Sequence, residues 1–435
     1  MISIKEKTKN ILLRIQEKVR IDLLYVAGGG FWLSSAFLSS SLLSLVQVII
    51  FANVLPKEVY GSYKYILSLA GTFSFITLTG MNMAVTQAAS KGASLGILPY
   101  AVKVQLKWNF LFTTAMTILA GYYFINDNTI FALSTFVLGF TFPLATTFNT
   151  YGAFLSGRKE FRRASLYNIV TVAIQLTSMA VGALLTTNIF ILVVIYGVSG
   201  LLPNLFFYLR TLRLYKSEPI QQHEKEELVT YSKHLSLMHI LSGVAQYVDK
   251  LVIFHYIGAI ELAVYGLALA VPERGRGYIK TLSTIILPKL SEKTLAEIHK
   301  TFYKRVFQGM LIGAAISGAY ILAAPLFYKI FFPKYLEAIA YSQVFSLTLL
   351  FVLPSNYISS VFNAHKMLRP LYFSSLSASI TKILLYLVLG KMFGIWGVIT
   401  AILIMYASNT GYSFYLWEVE RRRQQNLHES SKISY

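Results

Sequence analysis

Seven charged side chains stand in segments that are otherwise apolar: Asp249, Lys250, Glu273, Arg274, Arg276, Lys280 and Lys382. A charge at the centre of a membrane helix costs about 2.5–3.5 kcal/mol on insertion scales, so each must face a partner or water. Five of the seven are basic, and the chemistry open to them is anion binding. Arginine presents a planar fork that grips two oxygens at once, and a charge-assisted hydrogen bond is about twice as strong as a neutral one. Arg276 and Lys280 lie one helical turn apart and share a face. Pro272, Gly275 and Gly277 interleave with the charges and would kink or loosen their helix. The acidic pair has two readings. Asp249 and Glu273 either pair structurally with neighbouring bases or serve ion coupling at a wet cavity that the bases line. A helix ending earlier would make Arg276 and Lys280 ordinary inner-leaflet charges.

No other group of side chains has the makings of a reaction centre, and no cofactor or metal site is expected. Cysteine is absent, which removes thiol chemistry and disulfides. Gly28-Gly29-Gly30 lacks the strand–helix setting of a nucleotide site and reads as a hinge. His234, His239 and His255 could relay protons, but packing or interfacial roles are the commoner use of such residues.

The elements that position these charges are membrane helices. Charged residues make up 13% of the 435 and hydrophobic ones 55%. That charged share is about half the usual value for a soluble domain. Mean hydropathy is +0.57. No charge occurs in 23–56, 65–90, 128–157, 164–209, 306–328, 338–365 or 392–417. Each block can cross a hydrocarbon core of about 30 Å, which takes roughly 20 residues. Only helices and closed barrels satisfy the backbone there, and these blocks lack the two-residue alternation of barrel strands. The blocks predict about twelve spans: 31–54, 65–89, 108–126, 129–155, 165–186, 189–209, 235–258, 262–288, 306–328, 338–362, 371–390 and 393–417. Thr186-Thr187-Asn188 would be the turn that splits 164–209 in two. The first span is too long for the core of a signal peptide.

Lys and Arg give the orientation, because cytoplasmic loops carry their excess. With the N-terminus inside, 29 of the 39 fall on inner segments and five on outer ones: Lys57, Lys64, Lys329, Lys334 and Lys391. The formal charge of +20 is therefore mostly topology. A nucleic-acid partner would need a basic domain or stripe, which is missing. Both termini are expected on the cytoplasmic side. Residues 1–22 gather Ile4, Ile11, Ile15 and Val19 near one helical face among basic residues, as an interfacial helix on anionic lipid would. Residues 290–305 repeat the pattern with Leu295, Ile298 and Phe302.

The chain reads as a duplication. Phe51 and Val59-Tyr60-Gly61 near the first span match Phe254 and Val264-Tyr265-Gly266 near the seventh. The expected organisation is an interfacial basic helix over 1–30, a six-span lobe over 31–212, a cytoplasmic linker over 213–232, a second six-span lobe over 233–418 and a cytoplasmic tail over 419–435. Parallel repeats of this kind place their sites between the halves near the midplane.

The stretch from Tyr247 to Ser291 carries a resemblance. It runs Tyr247-Val248-Asp249-Lys250-Leu251-Val252-Ile253, then Ile257-Gly258-Ala259 with Glu261, then Val264-Tyr265-Gly266-Leu267-Ala268, and ends in Leu287-Pro288-Lys289-Leu290-Ser291. This resembles the start of the second lobe in polysaccharide flippases of the Wzx type, with Ala263 where glycine is usual. Their superfamily also holds drug/cation antiporters and lipid II flippases. The resemblance implies two six-helix lobes around a central cavity in the cytoplasmic membrane. It implies that a polyprenyl-pyrophosphate-linked oligosaccharide moves from the inner to the outer leaflet, without catalysis and with H⁺ or Na⁺ as candidate coupling ions. Lys250, Arg274, Arg276, Lys280 and Lys382 would then meet the pyrophosphate, and Asn82, Gln87, Asn149 and Asn168 could meet sugar hydroxyls. A drug/cation antiporter is the alternative, disfavoured because the first six spans contain no Asp or Glu. An enzyme acting on the same lipid would need larger outer loops.

Overall fold

The computed structural model describes residues 23–215, 219–365 and 367–433, with side chains left aside in 23–34, 36, 280–289, 368 and from 424 on. The interfacial helix expected over 1–22 and the side chain of Lys280 lie outside the described residues. Every described element is helical. The first half comprises α1 (Leu23–Val54), α2 (Lys57–Phe73), α3 (Met81–Ser90), α4 (Ile97–Ile125), α5 (Thr129–Phe148), α6 (Thr150–Gly157), α7 (Phe161–Leu185) and α8 (Ile189–Leu214). The second comprises α9 (Gln222–Ala245), α10 (Val248–Tyr256), α11 (Ala259–Ser291), α12 (Leu295–Phe331), α13 (Ala338–Ser346), α14 (Leu349–Ala364) and α15 (Leu368–Ile433).

Local chemistry sets the boundaries. The Asn128 side chain accepts from Phe131 N at 3.2 Å and starts α5; Asn188 does the same for α8 from Phe190 N at 2.9 Å. The turn Thr186-Thr187-Asn188 thus divides the long block. Thr294 and Glu297 form a capping box at the start of α12. That helix continues to Phe331, so the amphipathic stretch 290–305 is not a separate interfacial helix. Its apolar face is buried inside the protein: Phe302 stacks on Trp417 at 4.5 Å, and Ile298 joins the same cluster. α15 is two helices merged across Gly394, whose φ of 60° and ψ of −135° suit only glycine. There the chain doubles back so tightly that a Cβ on Gly397 would lie 1.8 Å from the Leu389 carbonyl oxygen.

Eight helical segments among the described residues are long and apolar enough to cross a membrane. A ninth is the pair Lys57–Ile76 and Met81–Ser90, bent by 57°. The twelve spans expected from the sequence would further require dividing Arg369–Arg423 at Gly394 and counting the less apolar α4 and α11. Large apolar side chains face outward along the bundle, among them Phe110, Ile118 and Leu322 at 71%, 70% and 83% exposure. A water-facing surface of that kind would be an aggregation liability, whereas lipid accepts it.

The halves meet where α2 packs on α11. Gly61 of the first Val-Tyr-Gly makes the approach possible, because a Cβ there would lie 1.7 Å from the Ala259 carbonyl oxygen. Gly266 of the second faces Lys64 across the same contact. Further ties join the halves at this end. Lys57 pairs with Glu337, the Asn53 amide donates to Phe331 O at 2.9 Å, Lys334 donates to Asn53 O, and Tyr65 stacks on Phe254 at 3.7 Å.

Candidate functional site

Behind this closed end lies a cavity of about 660 Å³, walled by α1 and α2 from the first half and by α10 and α11 from the second. Helical periodicity selects its lining. On α2, Tyr60, Lys64, Leu67, Ser68 and Gly71 recur every three or four residues; on α11, Gly266, Ala270, Glu273, Arg274 and Gly277 do the same. Three cations face the space, Lys64, Lys250 and Arg274, against one carboxylate, Glu273. The remaining wall is mostly hydroxyl-bearing and aromatic, with Ser40, Ser44, Tyr63, Tyr196 and Tyr247.

The cations are held in different ways. Arg274 reaches across from α11 to α1, where it donates to Ser44 Oγ at 2.6 Å and to Ser41 O at 3.3 Å, and it also donates to Ala270 O on its own helix. All three acceptors are neutral, so its charge is solvated but not cancelled. The Lys64 ammonium lies 5.1 Å from the centre of the Tyr60 ring, and no carboxylate among the described residues is within ion-pair distance of it. Lys250 sits 3.6 Å from Asp249 and 5.2 Å from the Tyr247 ring centre. Glu273 pairs with Arg276 at 3.0 Å.

Of the seven charges singled out in the sequence, the structure brings Lys250, Glu273 and Arg274 together on the cavity wall. Asp249, Arg276 and Lys382 stand behind it, inside the second half. Asp249 is 3% exposed and accepts from the Tyr265 hydroxyl at 2.7 Å. The Arg276 guanidinium lies between the rings of Phe345 and Tyr406, at 4.8 and 5.1 Å. Two residues along a helix is a rotation of about 200°, which is why Arg274 and Arg276 face opposite ways. Lys382 lies over Tyr386 at 5.3 Å, in electrostatic range of Asp249, Arg276 and Glu273. The amides considered for sugar contact are partly taken up between helices: Asn82 accepts from Thr150 at 3.0 Å, and Asn168 from Ser40 at 3.3 Å.

Sequence reasoning assigned Lys64 to the outer surface, and the structure puts it in the cavity. Its position at the edge of a charge-free block suggested a loop, but α2 begins seven residues earlier, at Lys57. The spacing of four from Tyr60 and of seven from Gly71 was the available signal.

The all-helical bundle of two halves around a cationic cavity shares its fold with solved membrane transporters of the MOP superfamily. A multidrug resistance MATE family transporter of that superfamily in its inward-facing conformation is 13% identical, with a TM-score of 0.70 over 92% of this chain and 99% of that one. The lipid II flippase MurJ in an inward closed conformation is 16% identical, with a TM-score of 0.64 over 88% of this chain and 87% of that one. An outward-facing MATE structure gives 0.59 at 12% identity over 92% and 96%. No curated protein matches the sequence. The chain belongs to the family described as polysaccharide biosynthesis protein, whose sequence profile matches residues 26–292, through the Leu287-Pro288-Lys289-Leu290-Ser291 ending.

Proposed function

We propose that the protein moves a polyprenyl-pyrophosphate-linked oligosaccharide from the inner to the outer leaflet of the cytoplasmic membrane, for surface polysaccharide biosynthesis. The observation that carries this is the set Lys64, Lys250 and Arg274 facing one carboxylate in a cavity between the halves. Such a substrate has an anionic, hydroxylated head that hydrocarbon rejects and a tail that it accepts. The cations answer the pyrophosphate, with about two negative charges, and the serines and tyrosines answer the sugar. No bond is made or broken. Family membership and the MurJ-like fold support the same reading.

On this reading the chain has twelve spans, two six-span lobes meeting near 213–232, and both termini in the cytoplasm, which the distribution of Lys and Arg supports. The inter-half ties at Lys57, Asn53 and Tyr65 then close the outer end and leave the cavity for the inner leaflet. Asp249 and Glu273 are the candidates for H⁺ or Na⁺ coupling. The MATE-like fold fits a cation antiporter too, but a cavity with three cations and one acid repels a cationic cargo.

Depletion tests the proposal. A lipid-linked, pyrophosphate-bearing oligosaccharide should accumulate in the inner leaflet of depleted cells, shielded from a glycosidase added outside. An unchanged pool with normal surface polysaccharide would refute it.

A further inference from the structure

α2 separates two cavities. Lys64 faces the cationic one, and the next residue, Tyr65, faces another of about 850 Å³. This second cavity lies at the closed end, between the α4–α5 and α7–α8 turns of the first half and the α10–α11 turn of the second. Its chemistry is the reverse of the first. No lysine or arginine lines it, and its one carboxylate, Glu58, is exposed and has no ion-pair partner among the described residues.

Its floor is aromatic and fixed. Tyr65 stacks on Phe254 with an interplanar angle of 9°, its hydroxyl bonds that of Tyr123 at 2.7 Å, and Phe131 meets the Tyr123 ring edge-on at 5.6 Å. Tyr122 stands at the rim, 59% exposed. Two amides complete the wall. Asn128 and Asn188 spend their oxygens capping α5 and α8, which fixes each side chain and leaves its NH₂ group without an acceptor among the described residues.

Rigid aromatic faces, aimed amide donors, one free carboxylate and the His255 imidazole, without a lysine or arginine, suit a polyol better than a phosphate. A pyranose ring lays its C–H face on an aromatic ring, while its hydroxyls take amide donors and carboxylate acceptors. Glu58 adds a preference for an amino sugar, whose ammonium it would meet. We infer that this cavity is a glycan site for neutral or amino-sugar oligosaccharide, separate from the pyrophosphate cavity. The inference rests on the proposed function only in naming the source of the glycan, the head of the transported lipid after it reaches the outer face.

Soluble oligosaccharides test it without lipid or flipping. The full-length protein in detergent is titrated with maltohexaose, chitohexaose and fully deacetylated chitohexaose, and binding is read by saturation-transfer NMR and native mass spectrometry. At least one should bind. Tyr122→Ala and Asn188→Asp, the latter keeping the oxygen that caps α8 and removing only the NH₂ donor, should each weaken binding about tenfold at unchanged thermal stability. Glu58→Gln should abolish any preference for the deacetylated probe. Binding of none of the three by the wild type overturns the inference. So does binding that survives Tyr122→Ala and Asn188→Asp but is lost in Lys64→Ala, since the sugar would then sit in the central cavity. A polypeptide retained through Tyr122 in place of any glycan overturns it as well. Failure of the flippase reading would show separately, as absent lipid flipping with glycan binding intact.

Discussion

Arg274→Ala removes the one guanidinium among the described residues that faces the central cavity, and it leans only on neutral oxygens. Three of its five N–H groups are committed to Ser44, Ser41 and Ala270, which leaves two for a substrate. Losing a hydrogen bond to a charged group costs about 1.5–3 kcal/mol. Coulomb's law gives an independent figure: at about 8 Å and an effective dielectric constant near 20, one charge pair is worth roughly 2 kcal/mol. The two agree, and apparent affinity should fall about thirtyfold. Proteoliposomes carrying a lipid-linked pyrophosphate oligosaccharide read this as a higher half-saturating substrate level. Arg274 also ties α11 to α1, so structure and charge must be separated. Ser44→Ala breaks the tie and keeps the charge, and should cost much less than Arg274→Ala. Wild-type flipping by Arg274→Ala at equal insertion would refute the reasoning, and an equal loss in Ser44→Ala would refute the electrostatic part of it.

The absence of native cysteine makes a paired Lys57→Cys and Glu337→Cys variant clean: a short bis-maleimide cross-linker should stop flipping, and continued flipping of cross-linked protein would show that this end need not open. Gly61→Ala places a methyl group on the Ala259 carbonyl and should lower the melting temperature by several degrees, whereas Gly411→Ala, which meets open space, should not; equal behaviour of the two would discount the α2–α11 contact. A valinomycin potassium potential, negative on the side where the head group starts, should accelerate multiple-turnover flipping with no ion gradient, because each full cycle carries two net negative charges outward, a gain of roughly 4–5 kcal/mol per 100 mV; an unchanged multiple-turnover rate would mean that the head group travels with its counter-ions. A reporter active only outside the cytoplasm, fused after Tyr435, should stay silent, and activity would invert the orientation.

The helical class was legible because hydrocarbon leaves the backbone little choice: blocks such as Ala164–Leu209 state it by lacking charge, and Asn188 marks the break inside one. The phase of a helix was harder to see. In a soluble protein the polar stripe tells which way α11 faces. Here lipid and protein interior are both apolar, so the sequence groups Arg274 with Arg276 and Lys280 as cavity charges although Arg274 and Arg276 lie on different faces of α11. The choice fell to Phe345 and Tyr406, which come from α13 and α15 and enclose Arg276. No local pattern announces that. Lys64 escaped for a related reason: the charge-free block began one residue after it, while the helix began well before.

The cavity wall carries three positive charges and one negative, a surplus of two, and that surplus has an electrical consequence for the proposed cycle. A head group with about two negative charges brings the occupied cavity close to neutrality, so the loaded step carries almost no charge through the field. The empty protein keeps its surplus, and its return swings a cavity of charge near +2 from the outer toward the inner side, downhill in a cell that is negative inside. The work of the membrane potential, about 2.3 kcal/mol per charge per 100 mV, then falls on the resetting stroke. Voltage would govern how quickly the transporter becomes ready again, and the delivery of cargo would proceed at a rate nearly indifferent to it.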